Sequence, residues 1–306
     1  MTLDSVLRQT IPPDEILVMD DGSTDDTASV LDTYKSAIRV FRGKNQGVAN
    51  ARNFLFSQSE GDLIAFLDHD DLWHPRYLEH QRKHYGDFPR AVAFFTDHVS
   101  FCGYDDFEWG GVQTHFDYKP ELITSLDFLE RYHRVPLPFS SASFVCFPRQ
   151  VLAGIKGGPF CPQVSGADDF HLLHILPLMG PVVFAPVSLA AYRVTEEASS
   201  SNRLKLTGRA VHAMELVEQL YLRISERELT KAFRTLFASK RREYARVLMG
   251  VGQSSEAREQ LRLSFRNSSN PVSLAKSLIW LLVTYLPGHF QPTWPKPYRV
   301  HPDSHT

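Results

Sequence analysis

Residues Leu63-Ile64-Ala65-Phe66-Leu67 form an apolar run that stops abruptly at Asp68-His69-Asp70-Asp71. This stretch restricts the fold more than any other. Continuous apolar runs belong to strands buried on both faces, as in parallel sheets covered by helices. In open α/β sheets, ligands collect beyond the carboxyl ends of such strands. Three crowded carboxylates repel one another, and the D-x-D spacing of Asp68 and Asp70 suits a hard divalent cation that keeps waters and takes phosphate oxygens. The competing reading is an acidic loop in which Asp71 caps the helix that follows Pro75.

The rest of residues 1–90 fits a parallel sheet. Residues 2–9 read as a helix, and Glu15 to Met19 as a short strand ending at Asp20-Asp21-Gly22-Ser23-Thr24. A capped helix to about Tyr34 follows, then a strand at Ile38–Phe41, then a helix with Val48, Ala51 and Leu55 as its apolar stripe. Strand and helix alternate, which calls for a sheet flanked by helices. Beyond residue 91 come a long apolar strand to Phe101, a loop rich in Gly, Asp and aromatics, and a helix near 125–132. A strand at Ser143–Phe147, the helix start Gly166-Ala167-Asp168-Asp169 and a strand at Val182–Phe184 complete this part. After the polar linker Ser199-Ser200-Ser201, the chain reads as helices near 203–224, 226–249, 254–266 and 272–286. The expected division is 1–198 and 199–306.

Charge divides the chain in the same place. Residues 1–199 hold 16 Lys+Arg against 27 Asp+Glu, whereas residues 200–306 hold 17 against 8. A basic tail on an acidic domain points to an anionic partner, or to basic helices packed on the acidic part. Cys102, Cys146 and Cys161 fit no metal-ligand spacing and read as reduced thiols of a cytosolic protein. The first residues lack the apolar core of a secretory signal, and no run reaches the roughly 18 apolar residues of a membrane span.

Four pieces in order, SVLRQTIPPDEILVMDDGSTDDT, NQGVANARN, GDLIAFLDHDDLWHP and GADDFHL, resemble the family 2 glycosyltransferases over about residues 2–195. That resemblance implies an α/β GT-A fold with a mostly parallel, Rossmann-like sheet, and an inverting enzyme using a nucleotide-diphospho-sugar. It implies that Asp20 and Asp21 face the base, with Asp21 accepting from an imide N–H, and that Arg52 contacts base or diphosphate. Asp68 would touch the ribose and Asp70 would ligate Mg²⁺ or Mn²⁺. Asp169 would be the base that deprotonates the acceptor hydroxyl. The implied partners are the donor and a hydroxyl or lipid-linked acceptor, not nucleic acid. The implied location is cytoplasmic, with peripheral contact at the inner face of the membrane as an open option.

Relatives carry an apolar strand ahead of the first helix. The expectation is therefore a sheet whose central position residues 1–306 leave unfilled, with a non-catalytic nucleotide- or partner-binding remnant as the alternative function. Thr195 stands where many relatives have a histidine. His80 and His84, four apart on one helix, read as solvent-facing, because no third ligand is placed. His171 and His174, beside the acid pair, defer to the base reading. Tyr104, Trp109 and Phe116 could form an acceptor-side lid or pack locally. The apolar helix near Val272–Leu286 reads as a core helix, ahead of one lying in a membrane interface.

Overall fold

The longest ladder joins two strands that the sequence marks as apolar, Phe94–Phe101 (β5) and Val182–Arg193 (β8), in parallel over eight registered pairs. The computed structural model describes residues 1–104, 107–111, 116–134, 141–195, 202–268 and 270–285. The expected Ser199–Ser201 linker lies outside them. The earlier strands are Leu17–Asp20 (β1), Arg39–Arg42 (β2), Leu63–Ala65 (β3) and Leu72–Trp73 (β4); Glu121–Ile123 (β6) and Val145–Pro148 (β7) complete the set. β1 and β2 pair in parallel as a separate two-stranded sheet. The larger sheet runs β3-β7-β5-β8-β4, with β6 also on β8; its shorter ladders are antiparallel. β3, expected to be a buried parallel strand, pairs antiparallel with β7, and Leu63 and Ala65 are only half-buried.

Helices Thr2–Leu7 (α1), Thr27–Thr33 (α2), Val48–Gln58 (α3) and Tyr77–Asp87 (α4) separate these strands. Val6 of α1 packs with Trp73 and Tyr77, whose rings stack at 4.4 Å. Gln9 fastens the end of α1 to the same segment: its Nε2 donates to the His74 carbonyl and its Oε1 accepts from the Leu78 N–H. α3 differs from expectation. Its buried residues are Ala49 and Arg52, while Val48 is exposed, so the inward face is rotated from the Val48–Ala51–Leu55 stripe.

Ser125–Arg134 (α5), Arg149–Ala153 (α6) and Asp168–Ile175 (α7) follow, then Arg203–Tyr221 (α8), Arg227–Gly250 (α9), Ser254–Asn267 (α10) and Pro271–Val283 (α11). The later helices share one core with the sheet: Val211, Met214, Tyr221, Phe233 and Phe237 join Phe95, Phe128 and Phe147. Each fully buried aromatic of this kind contributes roughly 1.5–3 kcal/mol relative to exposure. Among the described residues, no helix is long and apolar enough to cross a membrane.

Candidate active site

The acidic end of β1 fixes the start of α3. Asp21 accepts hydrogen bonds from the Gln46 and Gly47 amides at 2.9 and 2.8 Å, which suits the positive end of a helix. Gly47 has φ +88°, and a Cβ there would sit 3.1 Å from the Ser165 hydroxyl. Asp20 accepts from the Ser23 amide at 2.9 Å, and hydrogen bonds from Ser23 hold its carboxyl below the ordinary range. Both members of the pair are thus engaged with backbone.

One turn into α3, Arg52 points inward rather than to solvent, at 7% exposure. Its Nη1 donates to Asp168 Oδ2 at 2.8 Å and its Nη2 to Asp68 Oδ1 at 2.5 Å. The guanidinium expected to contact base or diphosphate therefore holds two carboxylates. Burial opposes the guanidinium charge, but the fields of Asp68, Asp169 and Asp168 outweigh it. Asp168, fully buried, also accepts from the Gly166 amide at 2.8 Å. One cation thereby ties α3, the end of the β3 run and the first turn of α7 into a single cluster.

Asp169 occupies the next position of α7 and accepts from the Phe170 amide at 2.7 Å. Burial pushes its carboxyl up to about 6; Arg52 opposes the shift, while Asp168 and Asp68 add to it. A carboxylate in that range is ionised near neutrality yet basic enough to accept a proton.

Asp71 does not cap α4. Its Oδ1 accepts from the Arg193 amide at 3.1 Å, and its Oδ2 is buried with no partner. Burial pushes this carboxyl up to about 7 against a hydrogen bond from Ser143, with the charges of Asp68 and Asp70 adding to the rise. Ser143 is the residue that sequence reasoning missed. Its hydroxyl also accepts from the Asp68 amide at 3.0 Å, and its carbonyl accepts from Trp73 Nε1 at 2.8 Å. A buried serine in a strand-like run carries no signal of such a bridging role.

The Asp70 carbonyl accepts from the Tyr104 hydroxyl at 2.9 Å. Among the described residues, no three His, Cys, Asp or Glu side chains are set to enclose a cation. Asp68 is committed to Arg52, which leaves Asp70 and the orphaned Asp71 oxygen. That donor set fits a cation arriving with diphosphate and water, not a cage built by protein alone.

His80 and His84 are not solvent-facing. Both are buried on α4 and meet the Tyr118 hydroxyl at 2.7 and 3.0 Å. His171 and His174 are held neutral by burial, pushed down to about 4 and about 3. The loop aromatics pack locally: Tyr104 and Trp109 join Phe101 and Leu72, and Phe116 lies against His74 and His80.

Residues 1–152 match the family model for glycosyl transferase family 2. A putative teichuronic acid biosynthesis glycosyltransferase, TuaG of Bacillus subtilis, is 28% identical over 72% of this chain and 83% of its own length. The Escherichia coli UDP-Glc:alpha-D-GlcNAc-diphosphoundecaprenol beta-1,3-glucosyltransferase WfaP is 40% identical over 40% of this chain and 46% of its own. Against two uncharacterised glycosyltransferases, of Rickettsia bellii and Rickettsia felis, the match covers only 15% and 16% of their length. Among solved structures, S. aureus TarS 1-349 in complex with UDP-GlcNAc superposes with TM-score 0.68 at 15% identity, over 93% of this chain and 84% of that one. The mannosyltransferase PcManGT of Pyrobaculum calidifontis, with GDP-Man and Mn²⁺, gives 0.54 at 18%, over 94% and 77%. These two show a common GT-A fold.

Proposed function

Residues 1–152 make this chain a member of glycosyl transferase family 2, and from that premise we propose that it is an inverting transferase. It moves a sugar from a nucleoside diphosphate to a hydroxyl acceptor in the assembly of a surface polysaccharide or glycolipid. The observation that carries the reading is the buried Arg52, which joins Asp68 to Asp168 and sets Asp169 beside them. UDP-sugars are the first donors to try, given the UDP-Glc and UDP-GlcNAc in the names of WfaP and the TarS complex. The diphosphoundecaprenol acceptor of WfaP makes a lipid-linked diphosphate the first acceptor class.

Asp169 takes the proton of the acceptor hydroxyl as that oxygen attacks the anomeric carbon. The bond from that carbon to phosphate breaks on the opposite face, and the nucleoside diphosphate leaves with its electron pair. No covalent intermediate forms, so configuration inverts. Arg52 is a positioning residue: it holds Asp68 toward the donor and Asp168 against α7. Asp20 and Asp21 shape the wall that receives the base. Asp70 would hold a divalent cation, which supplies Lewis-acid relief of the charge growing on the leaving diphosphate.

The test is a titration of UDP and UDP-sugars with Mn²⁺, followed by a transfer assay on a diphosphate-lipid acceptor. Asp169→Asn keeps donor binding and loses transfer; Asp70→Asn loses the metal-dependent part of binding. Nucleotide binding that is absent with and without metal would instead support the non-catalytic remnant.

A further inference from the structure

Helix α11 is built inside out. Its polar residues Ser273 and Ser277, with Thr284 just beyond its end, are buried, whereas Val272, Leu278, Ile279, Leu282 and Tyr285 are 47–64% exposed. A surface helix of a soluble protein ordinarily turns its apolar stripe to the core. This corrects part of the expectation of a core helix: Trp280 and Leu281 pack against Ala245, Leu248, Ala257 and Leu261, while Val272, Leu278, Ile279, Leu282 and Tyr285 face outward.

The buried serines of α11 serve a cation. Arg242 of α9 is 6% exposed, and its Nη1 donates to the hydroxyls of Ser264, Ser273 and Ser277 at 3.2, 3.0 and 3.0 Å. Among the described residues no carboxylate lies within ion-pairing distance of it. Burial, with the nearby Arg246 charge, pushes its guanidinium down to about 10. A buried charge compensated by neutral groups, here three hydroxyls and the Ser273 carbonyl, is costly. Arg242 also lines a cavity of about 480 Å³, together with Lys276, Lys231, Asn270 and Val272. Glu130 and Glu228 share the wall, and Glu228 pairs with Lys231 at 3.6 Å. Val272 belongs both to the cavity and to the exposed apolar side, so the two features are continuous.

We propose that the face formed by α9, α10 and α11 docks on an anionic phospholipid surface, with a headgroup phosphate in the Arg242–Lys276 cavity and the outward side chains of α11 among the upper acyl carbons. Charge selects this occupant. The chain beyond residue 200 carries 17 basic residues against 8 acidic ones, so a second copy would bring like charges together, whereas an anionic leaflet attracts them. An apolar helix face bordered by cations is the physical signature of a segment lying in a bilayer interface.

The experiment is co-sedimentation of the full chain with phosphatidylcholine vesicles, with and without phosphatidylglycerol. Binding is expected only to the anionic vesicles and weakens with salt. The double variant Ile279→Glu/Leu282→Glu abolishes it. Lys276→Glu weakens it by at least about tenfold, because reversing one charge at the surface removes two charge equivalents. All three substituted positions are exposed and distant from the Arg52 cluster in sequence, so folding and nucleotide binding stay unchanged as controls. Arg242→Gln is compared for its response to inorganic phosphate. If phosphate raises the Tm of the parent but not of Arg242→Gln, and no vesicle binding occurs, the cavity serves a free anion and the lipid proposal fails. It fails equally if the chain ignores anionic vesicles and sediments as a dimer that the double variant dissociates. Vesicle binding that appears only after removal of residues 286–306 also overturns it, since that segment then covers the face.

Discussion

Arg52→Met removes the charge at the centre of the cluster while keeping a long apolar stem over Phe160, whose ring lies 5.2 Å from the guanidinium carbon. Asp168, 1% exposed, and the partly exposed Asp68 then lose their cation. Breaking a buried pair from one side leaves an uncompensated charge and costs about 3–5 kcal/mol. For a chain of this length, that corresponds to a Tm lowered by roughly 5–8 °C. The sign of the pH dependence follows from Asp169. Its carboxyl, already up at about 6, loses the one charge that opposes its burial, so its folded pKa rises further above the unfolded value. Such a group favours the folded state at low pH and loses that contribution as pH rises through the folded pKa. The deficit of Arg52→Met is therefore largest at pH 7–8 and narrows toward pH 5. Asp168→Asn, whose amide oxygen can still accept from the Gly166 amide, should rescue part of it in the double variant. Thermal or urea melts of the four proteins, with EDTA present, measure the coupling. A loss below about 1 °C, or a deficit that does not change with pH, would refute the idea that this ion cluster holds the site together.

Transfer should fall on the acid side with a midpoint near 6, where Asp169 takes up its proton; an initial-rate profile with saturating donor checks this, and a midpoint below 5 counts against Asp169 as the base. Tyr118→Phe removes the hydroxyl shared by His80 and His84; stability in urea should drop by about 1–3 kcal/mol, with nucleotide binding intact. Phe233→Ala deletes a ring stacked at 4.0 Å on Tyr221. It should cost about 3–5 kcal/mol and lower one cooperative transition rather than a separate C-terminal one, as read by calorimetry.

The helices after residue 202 and most strand positions were legible because apolar periodicity and turn residues mark them locally. The acids at 68–71 and 168–169 stood out by composition. What the pattern could not convey was partnership. Arg52 in NQGVANARN has the spacing of a solvent-facing arginine, and only the approach of residues 68 and 168 in space turns it inward. His80 and His84 read as exposed on the same logic until Tyr118, from a distant loop, covers them. α11 deceived in the opposite direction. Its hydropathy matches a core helix, yet the buried Arg242 recruits its serines, and Leu278, Ile279 and Leu282 are left outside while Trp280 and Leu281 pack inward. β3 pairs antiparallel for a similar reason: an apolar run specifies burial, not the direction of its neighbour.

Because β1 and β2 share no ladder with the six-stranded sheet, the wall expected to receive the nucleotide base is tied to the rest of the candidate site, among the described residues, by side-chain hydrogen bonds and packing rather than by strand pairing. Glu15 reaching the Glu60 and Gly61 amides is one such tie, and Gly47 set against Ser165 is another contact across the same boundary. Opening free energies need not be uniform across a molecule built this way. Amide protons of Leu17–Asp20 should exchange with solvent through partial openings that leave Phe94–Phe101 protected, which would make the β1–β2 side of the candidate site softer than the six-stranded sheet.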